Sequence, residues 1–245
     1  MRKILFSIVS VILMVILISC SPAVNPAKQS AIDAAIKDAV KEKDIAEMFY
    51  DQSNYEDAIE HFTKAIDILA TAGIPEDELT AELHLKSGLC YESIAIDEWL
   101  DSIWFTESDL AKNALNIINF FTKRDELNLI IADPEPWITK ALSYYNRAVV
   151  IYKDVASLQS APQLMRSYAG VAQCVAMRGD VNASVKYMAE AKNVLDTKCG
   201  VDDIQDYEGY LAFTHAILSA VNDYTGVQPY GGTLDDFKAL IDAAM

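Results

Sequence analysis

Apolar residues recur at intervals of three and four along almost the whole chain after residue 30, a spacing that places them on one side of an α-helix. Glycines are few, and no segment alternates apolar and polar residues as a half-buried strand does. The sequence therefore predicts an all-α chain, with helices near residues 31–52, 55–71, 76–102, 107–122, 134–156, 161–178, 181–196, 203–222 and 233–244.

Three helix starts carry recognisable signals. Ser30 precedes Asp33, and Thr106 precedes Asp109, in the spacing of a capping box, in which the two side chains satisfy free backbone N–H groups at the start of a helix. Asp133-Pro134 introduces a further helix, since proline is favoured in the first turn.

The first residues follow the plan of an export signal. Arg2 and Lys3 precede an apolar stretch over residues 4–18, which is shorter than the roughly 20 residues that span a bilayer as a helix. The stretch ends in Leu17-Ile18-Ser19-Cys20, which resembles the lipobox of bacterial lipoproteins. The alternatives are an ordinary secretory signal or a short membrane anchor with an incidental cysteine.

This resemblance implies cleavage before Cys20 and acylation of that cysteine, with palmitate among the attached chains. Residues 1–19 would be the signal peptide and residues 20–30 a lipidated tether. Several acyl chains on one residue give lasting membrane attachment, because each buried methylene contributes about 0.8 kcal/mol. Ser21, rather than Asp, follows the cysteine. We therefore expect a cell-envelope protein, on the periplasmic face of the outer membrane if the organism is a diderm.

The chain is strongly acidic. Its formal net charge is −16, and cleavage would remove Arg2 and Lys3 but no acidic residue, which gives −18. This balance argues against nucleic acid as a partner, since phosphate binding needs clustered Lys and Arg. It also argues against electrostatic attachment to anionic lipid, and it favours solubility and basic partners.

Two segments share one pattern, in which a small residue on a first helix is followed by a tight turn and by a small and a large residue on a second helix. They read Ile45-Ala46-x2-Phe49 … Ala58-x3-Phe62-x2-Ala65 and Val171-Ala172-x2-Val175 … Ser184-x3-Met188-x2-Ala191. Partial matches lie between them, at His84-x2-Ser87-Gly88-x2-Tyr91 and Ala141-x3-Tyr145-x2-Ala148. The pattern resembles the tetratricopeptide repeat (TPR).

The TPR resemblance implies a helical-repeat solenoid of about four helix pairs over residues 31–200. Residues 201–245 would be capping helices, which a solenoid needs to cover its apolar end. Ala46 and Gly88 lie 42 residues apart and Gly88 and Ala172 lie 84 apart, whereas standard repeats have a period of 34. Longer helices or insertions are therefore implied, and a generic α-helical bundle is the alternative.

The sequence contains no constellation that predicts catalysis, a metal or a cofactor. Its three histidines fall on separate predicted helices, without the spacing of a ligand pair (His61, His84, His215). We expect His84 to be a packing residue. Cys90 and Cys174 lie in apolar helical patterns and are predicted to be buried, whereas Cys199 follows a helix end and is predicted to be the most reactive thiol.

Two sets of residues are candidates for binding. In TPR proteins the first helix of each pair lines a groove that takes up peptides or helices, and the corresponding positions here are Lys43, Glu47, Tyr50, Leu85, Leu89, Glu92, Ala169, Gln173 and Ala176. This set lacks clustered Lys and Arg, which favours a hydrophobic or helical segment over an acidic tail. An aromatic pocket is the second candidate, with core packing as its alternative, at Trp99, Trp104 and Phe105, with Phe120 and Phe121.

We expect a non-enzymatic, membrane-anchored TPR-like lipoprotein that acts as a protein–protein interaction scaffold in a cell-envelope complex. The alternative is a solute-binding accessory lipoprotein of a transporter, similar to the TPR component of TRAP transporters. In that case the partner would include a small molecule, and the aromatic pocket would hold it.

Overall fold

The computed structural model describes residues 26–112, 134–155, 157–220 and 230–245, and for residues 99–112 the backbone alone. Cys20 lies outside the described residues. The described residues form eight α-helices and one 3₁₀ turn (Leu158–Ser160), without a strand, which confirms the all-α prediction. The helices are α1 (Pro26–Asp51), α2 (Tyr55–Thr71), α3 (Glu78–Lys112), α4 (Glu135–Val155), α5 (Ala161–Met177), α6 (Val181–Lys198), α7 (Asp203–Ala220) and α8 (Leu234–Ala244).

Two of the predicted helix starts are wrong. Helix α1 begins at Pro26, so Ser30 lies inside it; the fixed φ of proline suits the first turn, and the following residues favour helix. Helix α3 continues without a break through Thr106 to Lys112. No glycine or proline stands near Thr106, and a threonine alone does not end a helix.

The helices pack in chain order, each against the next from α1 to α8. Helix α5 also packs against both α3 and α7, and α8 packs against α6. Helices α3, α5 and α7, which are alternate members of the series, therefore lie side by side. None of the described helices is long and apolar enough to span a bilayer.

The turns after α1 and α5 have the same construction. Ser53 has φ at +58° and Gly179 has φ at +76°, and the next residue of each turn donates its N–H to a helix carbonyl five residues back. That next residue, Asn54 or Asp180, then caps the following helix, with its side chain accepting from the N–H three residues on. Two helix pairs, α1–α2 and α5–α6, are thus joined by matching turns.

The buried side chains form two clusters. The first core joins α1 and α2 to one side of α3, where Leu83 and Cys90 are fully buried. The second core begins on α3 with Leu85 and Tyr91 and extends through α4 to α8. Helix α3 therefore contributes to both cores, and Ile59 is packed against both.

Candidate functional site

Ion pairs join α1 to α3 at positions that the sequence assigns to the groove. Lys43 Nζ lies 2.8 Å from an oxygen of Glu82, and Lys86 Nζ lies 3.5 Å from an oxygen of Glu47. All four side chains are partly exposed, with 20–37% of their surface accessible. The lysine belongs to α1 in one pair and to α3 in the other. Each helix therefore contributes one positive and one negative side chain, and the contact carries no net charge.

A buried ion pair continues this contact from α3 to α5. Arg166 donates from one terminal nitrogen to Glu92 at 3.0 Å and from the other to Gln173 at 2.8 Å. The side chain of Glu92 is 4% exposed and that of Arg166 is 17% exposed. On the side of α7, the guanidinium carbon lies 4.7 Å from the ring centroid of Tyr210, within the range of a cation–π contact.

Together these contacts form a polar seam across α1, α3, α5 and α7. We call it the inner seam and define it by eight residues: Lys43, Glu47, Glu82, Lys86, Glu92, Arg166, Gln173 and Tyr210. Four of the eight, Lys43, Glu47, Glu92 and Gln173, were predicted as groove residues.

Tyr145 reaches Glu92 through a slot between two glycines. A Cβ atom at Gly88 would lie 2.9 Å from the Tyr145 ring, and one at Gly170 would lie 2.4 Å from it. Only glycine permits this approach, because real Cβ contacts are longer. The ring, which comes from α4, passes between α3 and α5, and its hydroxyl donates to the carboxylate of Glu92. The carboxylate is thus fixed by two donors on the same oxygen.

The electrostatics keep Tyr145 and Arg166 protonated. Burial, followed by the charge of Glu92, raises the pKa of Tyr145 well above its ordinary value, so its hydroxyl keeps its proton. Burial opposes the charge of Arg166, but the nearby acidic groups outweigh it and raise the pKa of the guanidinium. The second carboxylate oxygen of Glu92 is buried and has no hydrogen-bond partner among the described residues. The cluster therefore retains an unused acceptor beside a guanidinium that has further N–H donors.

The predicted groove residues divide into covered and accessible ones. Leu85 (5% exposed), Glu92 and Gln173 are buried, as are Ala169 and Ala176, because α3 and α5 pack directly on each other. These groove positions are therefore covered by the chain itself. Tyr50 and Leu89 remain partly exposed, and Tyr50 lies near enough to Arg166 and Glu92 for their charges to affect its pKa, which burial raises.

The predicted aromatic pocket cannot be placed. Trp99, Trp104 and Phe105 lie on the last part of α3, beyond the described side chains, and Phe120 and Phe121 lie outside the described residues. Among the described residues, Trp137 of α4 stacks on Tyr91 of α3, with ring centroids 6.0 Å apart.

Arg166 and Tyr210 were missed by the sequence analysis. Arg166 stands seven residues before Gln173, which is two helical turns and therefore the same face. That spacing was a usable signal. The contribution of Tyr210 was not predictable, because it comes from a helix assigned to the cap.

The predicted burial of Cys90 and Cys174 is confirmed, and the order of thiol reactivity stays a prediction. Cys90 and Cys174 are completely buried and Cys199 is partly exposed, all three as free thiols. Burial raises the pKa of Cys90 to about 12, and it raises the pKa of Cys174 well above its ordinary value. Within the described ranges no three His, Cys, Asp or Glu side chains converge as a metal site would require.

Comparisons of the chain with protein-family models, with curated proteins and with solved structures found no match. Its function must therefore be inferred from the inner seam and from the other surfaces of its own helices.

Proposed function

We propose that the mature chain is a lipid-anchored, TPR-like scaffold of the cell envelope that docks a protein segment along the inner seam. It would be attached to the membrane by lipid on Cys20, outside the cytoplasm, and would have no catalytic role of its own. The observation that carries the proposal is the inner seam, where polar side chains connect α1 to α3, α3 to α5 and α5 to α7.

The helix order supports the repeat assignment. Each helix packs on the next, and α3, α5 and α7 also pack side by side. Small residues predicted at the helix crossings are fully buried, among them Ala46, Ala58, Ala141, Ala172 and Ala191. The matching turns at Ser53 and Gly179 are a further similarity between the helix pairs α1–α2 and α5–α6.

The seam favours a segment of mixed character as the partner. Its described charges are paired, so an incoming segment meets no uncompensated positive charge that would select an acidic tail. The accessible side chains beside it, Tyr50 and Leu89, are an aromatic and an aliphatic residue of the kind that anchors protein interfaces. An amphipathic helix with apolar anchors and a few basic groups would fit this surface and the acidic chain as a whole.

A solute-binding accessory of a transporter is the second candidate. The feature that favours it is the Glu92–Arg166 cluster, where an unused carboxylate oxygen and further guanidinium donors are held rigidly by Tyr145. Such a preorganised pair of hydrogen-bonding groups suits a small polar solute.

Position-specific cross-linking in intact cells distinguishes the two. A photoreactive residue at Tyr50 or Leu89 should form adducts with one envelope protein, whereas the same residue at Lys153 or Glu190, which are exposed on α4 and α6, should not. Equal adducts from both pairs of positions would contradict docking at the seam. Absence of any adduct from the seam, together with saturable binding of a solute that Arg166→Met abolishes, would support the transporter role instead.

The anchor has its own test. Cys20→Ala should abolish metabolic labelling with palmitate and leave the chain uncleaved or released from the membrane fraction. Cys199→Ala serves as the control, because it also replaces one cysteine with alanine but leaves the lipobox intact. Continued lipid labelling of Cys20→Ala would exclude this cysteine as the anchor.

A further inference from the structure

A cavity of about 550 Å³ lies beside α4, apart from the inner seam. It is lined by His84 of α3 and by five residues of α4: Ser143, Tyr144, Asn146, Arg147 and Val150. Asn146, Arg147 and Val150 lie three, four and seven residues after Ser143, so these four share one face of α4, while His84 comes from the neighbouring helix. The volume falls within the range of about 300–1,000 Å³ that small-molecule sites occupy.

The cavity lies at the end of a column of aromatic rings. Ring centroids are 6.0 Å apart between Trp137 and Tyr91, 5.4 Å between Tyr91 and Tyr144, and 5.6 Å between Tyr144 and His84. These separations are those at which aromatic pairs attract each other. Lys140 lies against the Trp137 end, 4.9 Å from its ring centroid, and the cavity adjoins the His84 and Tyr144 end. The His84 ring is tilted by 43° from the Tyr144 ring. A planar ring in the cavity would therefore contact this end of the column without continuing a parallel stack.

The cavity lining contains one charged residue near neutral pH, Arg147, and its charge is paired by a residue outside the lining. Arg147 is paired with Glu76, to which its Nε donates at 3.1 Å. Burial and the charge of Arg147 lower the pKa of His84 to about 4, against a smaller opposing effect of Glu76, so the imidazole is neutral. A charged ligand would lose hydration here without gaining an unpaired partner, whereas a neutral one would not.

Hydrogen-bonding groups at the cavity favour a ligand with polar edge atoms. Ser143 and Asn146 both donate and accept, and they are exposed on the α4 wall. His84 Nδ1 is buried and has no hydrogen-bond partner among the described residues, so the ring at the base of the cavity is incompletely satisfied. Val150, 48% exposed, adds an apolar wall.

We propose that this cavity is a binding site for an uncharged planar heteroaromatic molecule, which packs against the rings of Tyr144 and His84 and hydrogen-bonds to Ser143 and Asn146. The site is separate from the inner seam and does not depend on the docking proposed there. It would provide the chain with a small-molecule ligand in either functional role.

The three histidines of the chain make a direct test possible. In the full-length chain labelled with ¹⁵N-histidine, indole should move the imidazole signals of His84 saturably, while those of His61 and His215 stay in place. A dissociation constant on the order of 1 mM is expected for a ligand of this size. Tryptamine and indole-3-acetate, which carry the same ring with a positive or a negative charge, should bind at least tenfold more weakly.

Two substitutions separate binding in the cavity from binding elsewhere. Val150→Trp should fill the cavity and abolish the shift, and Lys153→Trp, at an exposed position on the same helix that does not line the cavity, should leave it unchanged. Ser143→Trp blocks the same wall if Val150→Trp perturbs the fold by circular dichroism. The proposal is overturned if indole leaves His84 unmoved, if blocking and control variants bind alike, or if a charged analogue binds as tightly as indole.

Discussion

At Ser53 the backbone adopts a left-handed conformation that glycine tolerates better than serine. A residue with a Cβ atom costs about 1–2 kcal/mol there, offset in part by the about 0.5–1 kcal/mol of extra chain entropy that glycine loses on folding. We therefore expect Ser53→Gly to raise the free energy of unfolding by about 0.5 kcal/mol, measured by chemical denaturation. Gly179, with a φ of +76° in the matching turn, already has the favoured residue.

The reciprocal change provides the control. Gly179→Ser should lower the free energy of unfolding by roughly as much as Ser53→Gly raises it, since the two turns share one geometry. If both substitutions destabilise, the serine at position 53 has a role in the turn other than its backbone conformation.

Acidification should destabilise the fold through His84. Its pKa in the folded chain is about 4, lowered by burial and by Arg147, while the unfolded value is about 6.5. The unfolded chain therefore binds more protons between these values, so the free energy of unfolding falls as pH decreases from 6.5 towards 4. We expect His84→Phe to flatten this dependence, measured by chemical denaturation at pH 7 and pH 5. An unchanged slope would show that His84 titrates normally.

Between elements, the slot for Tyr145 sets how closely α3 and α5 approach. Gly170→Ala would place a Cβ atom within 2.4 Å of the ring, and overpacking of this kind costs about 1–3 kcal/mol or more. Gly209→Ala, on α7, meets nothing within 4 Å and should instead stabilise the helix by about 0.5–1 kcal/mol. Thermal melting of the two variants should therefore shift in opposite directions. A similar loss in both would mean that the slot is not tight.

The elements were largely predictable because helices α2, α4 and α5 carry strong apolar periodicity. Asn54 and Asp180 also provide side-chain caps for α2 and α6. The two wrong helix starts were predicted from Ser30 and Thr106. A serine or threonine begins a new helix only where the backbone can also turn. Four of the eight residues of the inner seam were predicted from the sequence. Helical register identified Lys43 and Glu92, but it does not show which buried acid meets which base across two helices, and so it did not reveal Arg166.

Across the whole molecule, two buried thiols report on the two cores separately. Cys90 belongs to the first core and Cys174 to the second, which is the larger among the described side chains. In rising denaturant we expect Cys199 to react first with a water-soluble thiol reagent, then Cys90, and Cys174 last, measured by mass spectrometry of labelled peptides. Simultaneous reaction of Cys90 and Cys174 would show that the chain unfolds as one cooperative unit.

Because α3 contributes to both cores, it would transmit force from one core to the other. If the chain is tethered at Cys20 and a partner is docked near α5 and α7, tension between membrane and partner enters through α1 and passes to the rest mainly by way of α3. The smaller core would then unfold first, and the released α1 and α2 would lengthen the tether. The larger core, around Tyr145 and Arg166, would remain folded. Unfolding would end at helix α3, because residues such as Leu85 and Tyr91 hold this helix in the second core.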